Sequence, residues 1–177
     1  MFLGFAVFMA IMGAFLWYVA TYNNLINVRE RVAQAWSNID VLLRQRHDEL
    51  PKLVETCEHY MKHERATIDR VLEARTSIFG ARHSSDPAVL GQAEAELRGT
   101  LGKLFALAES YPELKANHTF ATLQQRVSDL ESGISDRREL YNMAVTENNV
   151  AIEQFPGNVV ASMGGFKRSK RLEFDAP

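Results

Sequence analysis

The residues with the greatest chemical capacity in this chain crowd into one short stretch: Glu55, Cys57, His59, His63 and Glu64. If the stretch is one helix, His59 and His63 lie four apart, with Glu55 one turn earlier. Three donors on one helix face is a spacing that suits a metal. A zinc-protease helix, however, carries its glutamate directly after the first histidine, and here Tyr60 follows His59 while Glu64 follows the second histidine. With Lys62 and Arg65 beside them, these side chains read as a solvated helix face. A reactive thiol needs a base and an open electropositive setting. Cys57 instead falls on an apolar seam, and His59, two residues on, points elsewhere, so Cys57 reads as core packing. No glycine-rich phosphate loop follows a strand, and no Ser-His-Asp or paired-carboxylate constellation rises above the background of a helical surface. The expectation is a protein that is not an enzyme and takes no cofactor and no metal.

A second chemically distinct group lies at the C-terminal end, where Lys167, Arg168, Lys170 and Arg171 are interleaved with Phe166, Leu172 and Phe174. Such a cluster suits anionic lipid, at about 1 kcal/mol per basic residue near the surface; a solvated, disordered tail is the other reading. Nucleic acid is not expected as a partner, because the net charge is -2 and the basic residues form no general surface. A single cysteine excludes an intrachain disulfide and fits a reducing compartment.

These groups must be positioned by helices. Phe2 to Ala20 contains no charged residue. As a helix it spans roughly 28 Å, about one hydrocarbon core. Trp17, Tyr18 and Tyr22 mark its interfacial end. A cleavable signal peptide is the alternative, but the basic n-region and the small residue at minus three are missing. Arg29 and Arg31 follow the segment and no Lys or Arg precedes it, which favours an outside N-terminus and a cytoplasmic body, with the reverse orientation as the alternative. Ala6, Ala10 and Ala14, with Gly13 alongside, have the spacing at which membrane helices approach each other closely.

From Asn23 to Phe79 a seven-residue repeat predicts long helices packed at shallow angles. One seam runs through Leu25, Val32, Ile39, Arg46, Leu53 and Tyr60, and its partner through Trp36, Leu43, Leu50, Cys57 and Glu64. Arg46 and Glu64 interrupt the seam, either fixing its register or marking where it meets water. Pro51 predicts a kink in a continuous helix, with a tight hairpin at Asp48-Glu49 as the alternative. Gly80 to Asp86 reads as a loop, and Asp86-Pro87 as the capped start of the next helix. Leu90, Leu97 and Leu104 mark one seam of that helix, with Ala93, Thr100 and Leu107 beside it. Pro112 to Asn117 reads as a turn. A last helix runs from about Asn117 to Gln154, with Phe120, Val127, Ile134 and Tyr141 on its core face. Trp36 is expected to be buried against it, so that Trp36→Ala would cost about 3–5 kcal/mol.

Several stretches together resemble the LemA family of bacterial membrane proteins. They are Tyr22-Asn23, AWSNIDVLLRQRHDELPKLVE (Ala35 to Glu55), YMKHE (Tyr60 to Glu64), EARTS (Glu73 to Ser77), ESYPELKAN (Glu109 to Asn117), Tyr141-Asn142 and Phe155-Pro156. The resemblance covers essentially the whole chain. It implies a single-pass anchor and an elongated antiparallel helical bundle, in a family that includes proteins linked to shaping internal bacterial membranes, and it implies no particular biochemical activity.

The fold expected is all-α: a transmembrane helix (1–22), an up-and-down bundle of four helical segments (23–155), the first two joined by a kink at Pro51, and a Gly-rich, basic tail (156–177). The function expected is a scaffold anchored in the bacterial inner membrane that associates with itself to organise or shape that membrane. The alternative is an adaptor that docks another membrane protein, such as a protease or transporter.

Overall fold

The computed structural model describes residues 2–84 and 86–174. Met1, Ser85 and residues 175–177, which the anchor, loop and tail readings include, lie outside the described residues. Among the described residues there are six helices: α1 (Phe2–Tyr60), α2 (Arg65–Ala81), α3 (Pro87–Ala108), α4 (Pro112–Lys115), α5 (His118–Glu153) and α6 (Gly157–Gly164).

α1 continues through Pro51. The two residues packed around that break in the hydrogen-bond ladder, Leu50 and Leu53, are fully buried, and burial of a leucine contributes roughly 1.5–3 kcal/mol toward holding a proline-containing turn in place. The hairpin at Asp48-Glu49 does not form, and Pro51 is not the junction between two segments. The chain breaks instead at residues 61–64, where Met61 N–H donates to Cys57 O (2.8 Å) and Glu64 N–H to Met61 O (3.0 Å). Met61 itself is fully buried and plugs the turn.

Two compact units are built on this order of helices, one from residues 1–36 and 140–170 and the other from 37–139 and 171–177. In the second unit, α2 returns along α1. Arg82 pairs with Asp40, and Arg75 Nε donates to the His47 carbonyl at 2.9 Å. α3 then packs on α2, with Tyr111 Oη donating to Glu64 at 3.3 Å. α5 runs opposite to α1: Asn117 Nδ2 donates to Tyr60 Oη at 3.1 Å, and further along Gly133 faces Leu42. The result is an up-and-down packing of four helices around Ile39, Leu43, Leu50, Leu97, Val127 and Ile134, all buried. On α3, Leu101 and Ala108 are buried where the sequence pattern had pointed to Thr100 and Leu107.

Local signals explain the helix starts. Asp86 lies in extended backbone and its side chain accepts from Ala88 N–H, ahead of Pro87 in the first turn. Asn117 Oδ1 accepts from Phe120 N–H at 3.0 Å and so caps α5.

In the first unit, α1 and α5 again run opposite. Trp36 meets Tyr141 with ring centroids 5.6 Å apart, and Arg31 meets Glu147 at 3.3 Å. Trp36 is only half-buried, less than its seam position predicts. α6 follows the Phe155-Pro156 bond and buries Val160 and Ala161 against Leu25. It ends at Gly165, whose φ of 68° is the left-handed cap that glycine supplies, with Phe166 N–H donating to Ala161 O.

Candidate functional site

α1 begins with an apolar stretch that lies exposed. Residues 2–17 are all exposed, including Phe2, Phe8, Phe15 and Trp17. Among the described residues this is the one helix long and apolar enough to cross a membrane. Ala6, Ala10, Gly13 and Ala14 are exposed with the rest, and nothing approaches within 4 Å of where a Gly13 β-carbon would stand.

At the end of this stretch the first unit forms an aromatic collar. Trp17 lies 6.1 Å from Phe155, Tyr22 lies 5.5 Å from Phe166, and Tyr18 stacks on Tyr22. Arg29 sits over the Phe166 ring at 5.7 Å. The basic residues Lys167, Arg168, Lys170 and Arg171 are all exposed, and Arg168 pairs with Glu153 at 2.9 Å.

The segment that carries them is fastened at many points. Ser169 N–H donates to Asn149 Oδ1 (2.9 Å), Asn149 Nδ2 donates back to Ser169 O (3.0 Å), and Tyr141 Oη donates to Lys170 O (3.0 Å). In the second unit Leu172 and Phe174 are buried and Arg138 covers the Phe174 ring at 4.9 Å. Glu173 O lies so close to α3 that a β-carbon on Gly91 would stand 1.8 Å from it, so only glycine admits the segment there.

The second unit also holds a buried charge cluster. Arg46 and Glu94 form an ion pair and are both almost wholly buried. Arg46 therefore does not mark a point where the seam meets water; it joins α1 to α3. Glu131 of α5 faces the same pair, and one of its carboxylate oxygens is buried without a hydrogen-bond partner. Burial pushes the Glu131 carboxyl above its ordinary value, and Glu94 adds to this, while Arg46 and Arg98 act the other way. Nearby, burial would raise Asp40, but hydrogen bonds from Arg44 and Arg82 outweigh it and hold the carboxyl low.

The histidine spacing does not survive the fold. α1 ends at Tyr60, so His59 is helical while His63 lies in the turn, and the two do not share a helix face. Cys57 is fully buried, and burial pushes its thiol up to about 12. Ile39, Leu43, Leu50, Leu53, Phe120, Val127, Ile134 and Tyr141 are buried, and Trp36 is half-buried.

The model of the LemA family matches residues 35–177. This chain belongs to the LemA family. It is similar to magnetosome protein MamQ 2 of Paramagnetospirillum magneticum, 24% identical over 176 residues that cover 86% of this chain and 64% of the relative. It is also similar to a protein named LemA of Metamycoplasma hominis, 27% identical over 145 residues, 81% of this chain and 65% of that one. MamQ of Magnetospirillum gryphiswaldense is 35% identical over 81 residues, 46% of this chain and 29% of its own length. The chain thus spans less than two thirds of the length of these relatives.

Two features of this LemA chain escaped sequence reasoning. Glu94 stands four residues after Leu90 and three before Leu97, a core position occupied by an acid, and that placement is the signal that would have exposed the buried pair with Arg46. Leu172 and Phe174 alternate with Arg171 and Glu173, the two-residue period of an extended segment with one buried side.

Proposed function

We propose that the chain is an inner-membrane scaffold whose copies associate side by side to organise or shape the bacterial membrane. It spans the membrane once through the start of α1, with the N-terminus outside and the helical body in the cytoplasm. The observation that carries the reading is the exposed apolar stretch of α1, a surface that water does not tolerate at this length and lipid does. Ala6, Ala10, Gly13 and Ala14 supply the close-approach face between neighbouring anchors. Anchors held in one plane raise the effective concentration of contacts between the bodies, so weak lateral contacts suffice to build an array. The similarity to magnetosome proteins supports a role at an organised membrane. The proposal gives the chain no catalytic role and no cofactor.

Disulfide crosslinking in membranes tests it, with Ala10→Cys in the full chain and Leu16→Cys as a neighbouring control. The reading expects self-crosslinks at position 10 in excess of position 16. Crosslinking of position 10 only to a different membrane protein, in one-to-one complexes, would favour the adaptor reading instead.

A further inference from the structure

α6 divides into three faces at about 100° per residue. Gly157, Val160 and Ala161 are buried, the last two against Leu25; Asn158 and Ser162 form a polar exposed side; Val159 and Met163 form an apolar exposed side. Met163 is 72% exposed and Phe155, in the turn that precedes α6, is 76% exposed. These exposed side chains are not placed at random. Phe155 packs on Trp17, near the end of the apolar stretch, so the patch is continuous with the surface of the anchor.

The placement of α6 matters as well. A β-carbon at Gly157 would stand 3.7 Å from Leu25, and one at Gly164 would stand 3.4 Å from Tyr22. Leu25 and Tyr22 are three residues apart on α1, so both ends of α6 meet one short stretch of α1 at its aromatic end. A short helix held there lies at the lipid boundary, with an apolar side and a basic flank at Lys167 and Arg168.

We infer that Phe155 and α6 form a second, interfacial membrane contact, in which Phe155, Val159 and Met163 enter the boundary of a phospholipid leaflet and Lys167 and Arg168 meet its anionic headgroups. The inference rests on the reading of α1 as the anchor. Its consequence is mechanical: a chain held by a spanning helix and by a foot at its aromatic end is fixed in tilt, as a body that orders or bends a membrane must be.

The test uses the full chain in vesicles of phosphatidylcholine and phosphatidylglycerol. A fluorophore is attached to Met163→Cys, Asn158→Cys or Ile11→Cys, and quenching is read with lipids spin-labelled at shallow or deep positions. Cys57 stays in place because it is buried. Shallow-label quenching at position 163 should exceed that at 158 several-fold, while position 11 responds to the deep label. If position 11 is quenched and 163 behaves like 158, the foot is refuted and the anchor stands. If position 11 is not quenched, the anchor reading falls, and the foot with it. If 163 is shielded from a water-soluble quencher but untouched by spin-labelled lipid, a protein covers the patch and the inference is overturned.

Discussion

The two units handle their apolar side chains in opposite ways. The second buries them: Ile39, Leu43, Leu50, Leu97, Val127 and Ile134 are all inside, and even Arg46 and Glu94 have been drawn in and paired. The first has a small core around Leu25, Val160 and Ala161 and leaves Phe2, Phe8, Trp17, Phe155 and Met163 outside. The same helix, α1, supplies both. The difference teaches that amphipathic helices of one chain can be written for two solvents. Where the apolar positions repeat every seven residues they are buried against other helices, and where they continue around the whole helix they are left exposed, as the proposed membrane span requires.

The comparison breaks most sharply at the buried pair. Glu94→Ala takes away the ion-pair partner of Arg46 inside the second unit and leaves only Glu131 facing the guanidinium, which should cost about 3 kcal/mol. Replacing both, as Arg46→Met with Glu94→Leu, should recover most of that loss, because two apolar groups of similar volume fit the same space. Denaturant unfolding of the detergent-solubilised chain measures both. Equal losses in the single and double variants would mean that volume, and not charge, decides the site.

Trp36→Ala probes the other unit. The ring is half-buried against Tyr141, so the cost should be about 2 kcal/mol, below the 3–5 kcal/mol of a fully buried aromatic. Membrane retention should not change. A loss of self-crosslinking with no change in thermal unfolding would instead make Trp36 a contact between copies.

Gly91→Ala sets a β-carbon against Glu173 O. The segment at residues 171–174 should be displaced, at roughly 1–2 kcal/mol, and proteases should cut there in the variant before they cut the parent. Resistance equal to that of the parent would show that the segment contributes nothing to the second unit.

How far these features could be read beforehand follows from what each one writes into the sequence. The apolar start of α1 is legible because an uncharged run about as long as a hydrocarbon core stands apart from the charged helices that follow. The core of α1 and α5 is legible because helical packing demands a repeat. The turn at residues 61–64 was not, and the reason is physical. Cys57, Ile68, Val71, Ala74 and Ile78 are all buried on one core, so the repeat keeps its phase while the chain reverses, and YMKHE contains no glycine or proline to announce the reversal. The continuous helix expected through Pro51 is present, because buried neighbours carry it across the proline. The aromatic collar was legible only on the α1 side; Phe155 and Phe166 join it through a fold that local patterns do not encode.

The smallest effects are those of pH, and they have opposite signs. Asp40 is held low, so its stabilising contribution is complete above the ordinary carboxyl range and is lost as pH falls through its depressed value. Glu131 is held high, so the folded state is favoured below the ordinary range and loses that advantage as pH rises through the raised value. At neutral pH, Asp40→Asn should lower the melting temperature and Glu131→Gln should raise it, and both differences should shrink in acid. Melting curves across that range check the signs; a fall on Glu131→Gln at neutral pH would mean that its attraction to Arg46 outweighs burial.

The claim that the chain is a self-associating membrane scaffold is tested most directly by the mass of the intact protein extracted with its native lipid. The account predicts particles that hold several copies of this chain, closed or extended, with the anchors in one lipid patch. Particles that hold a single copy, alone or in a one-to-one complex with another protein, would contradict it.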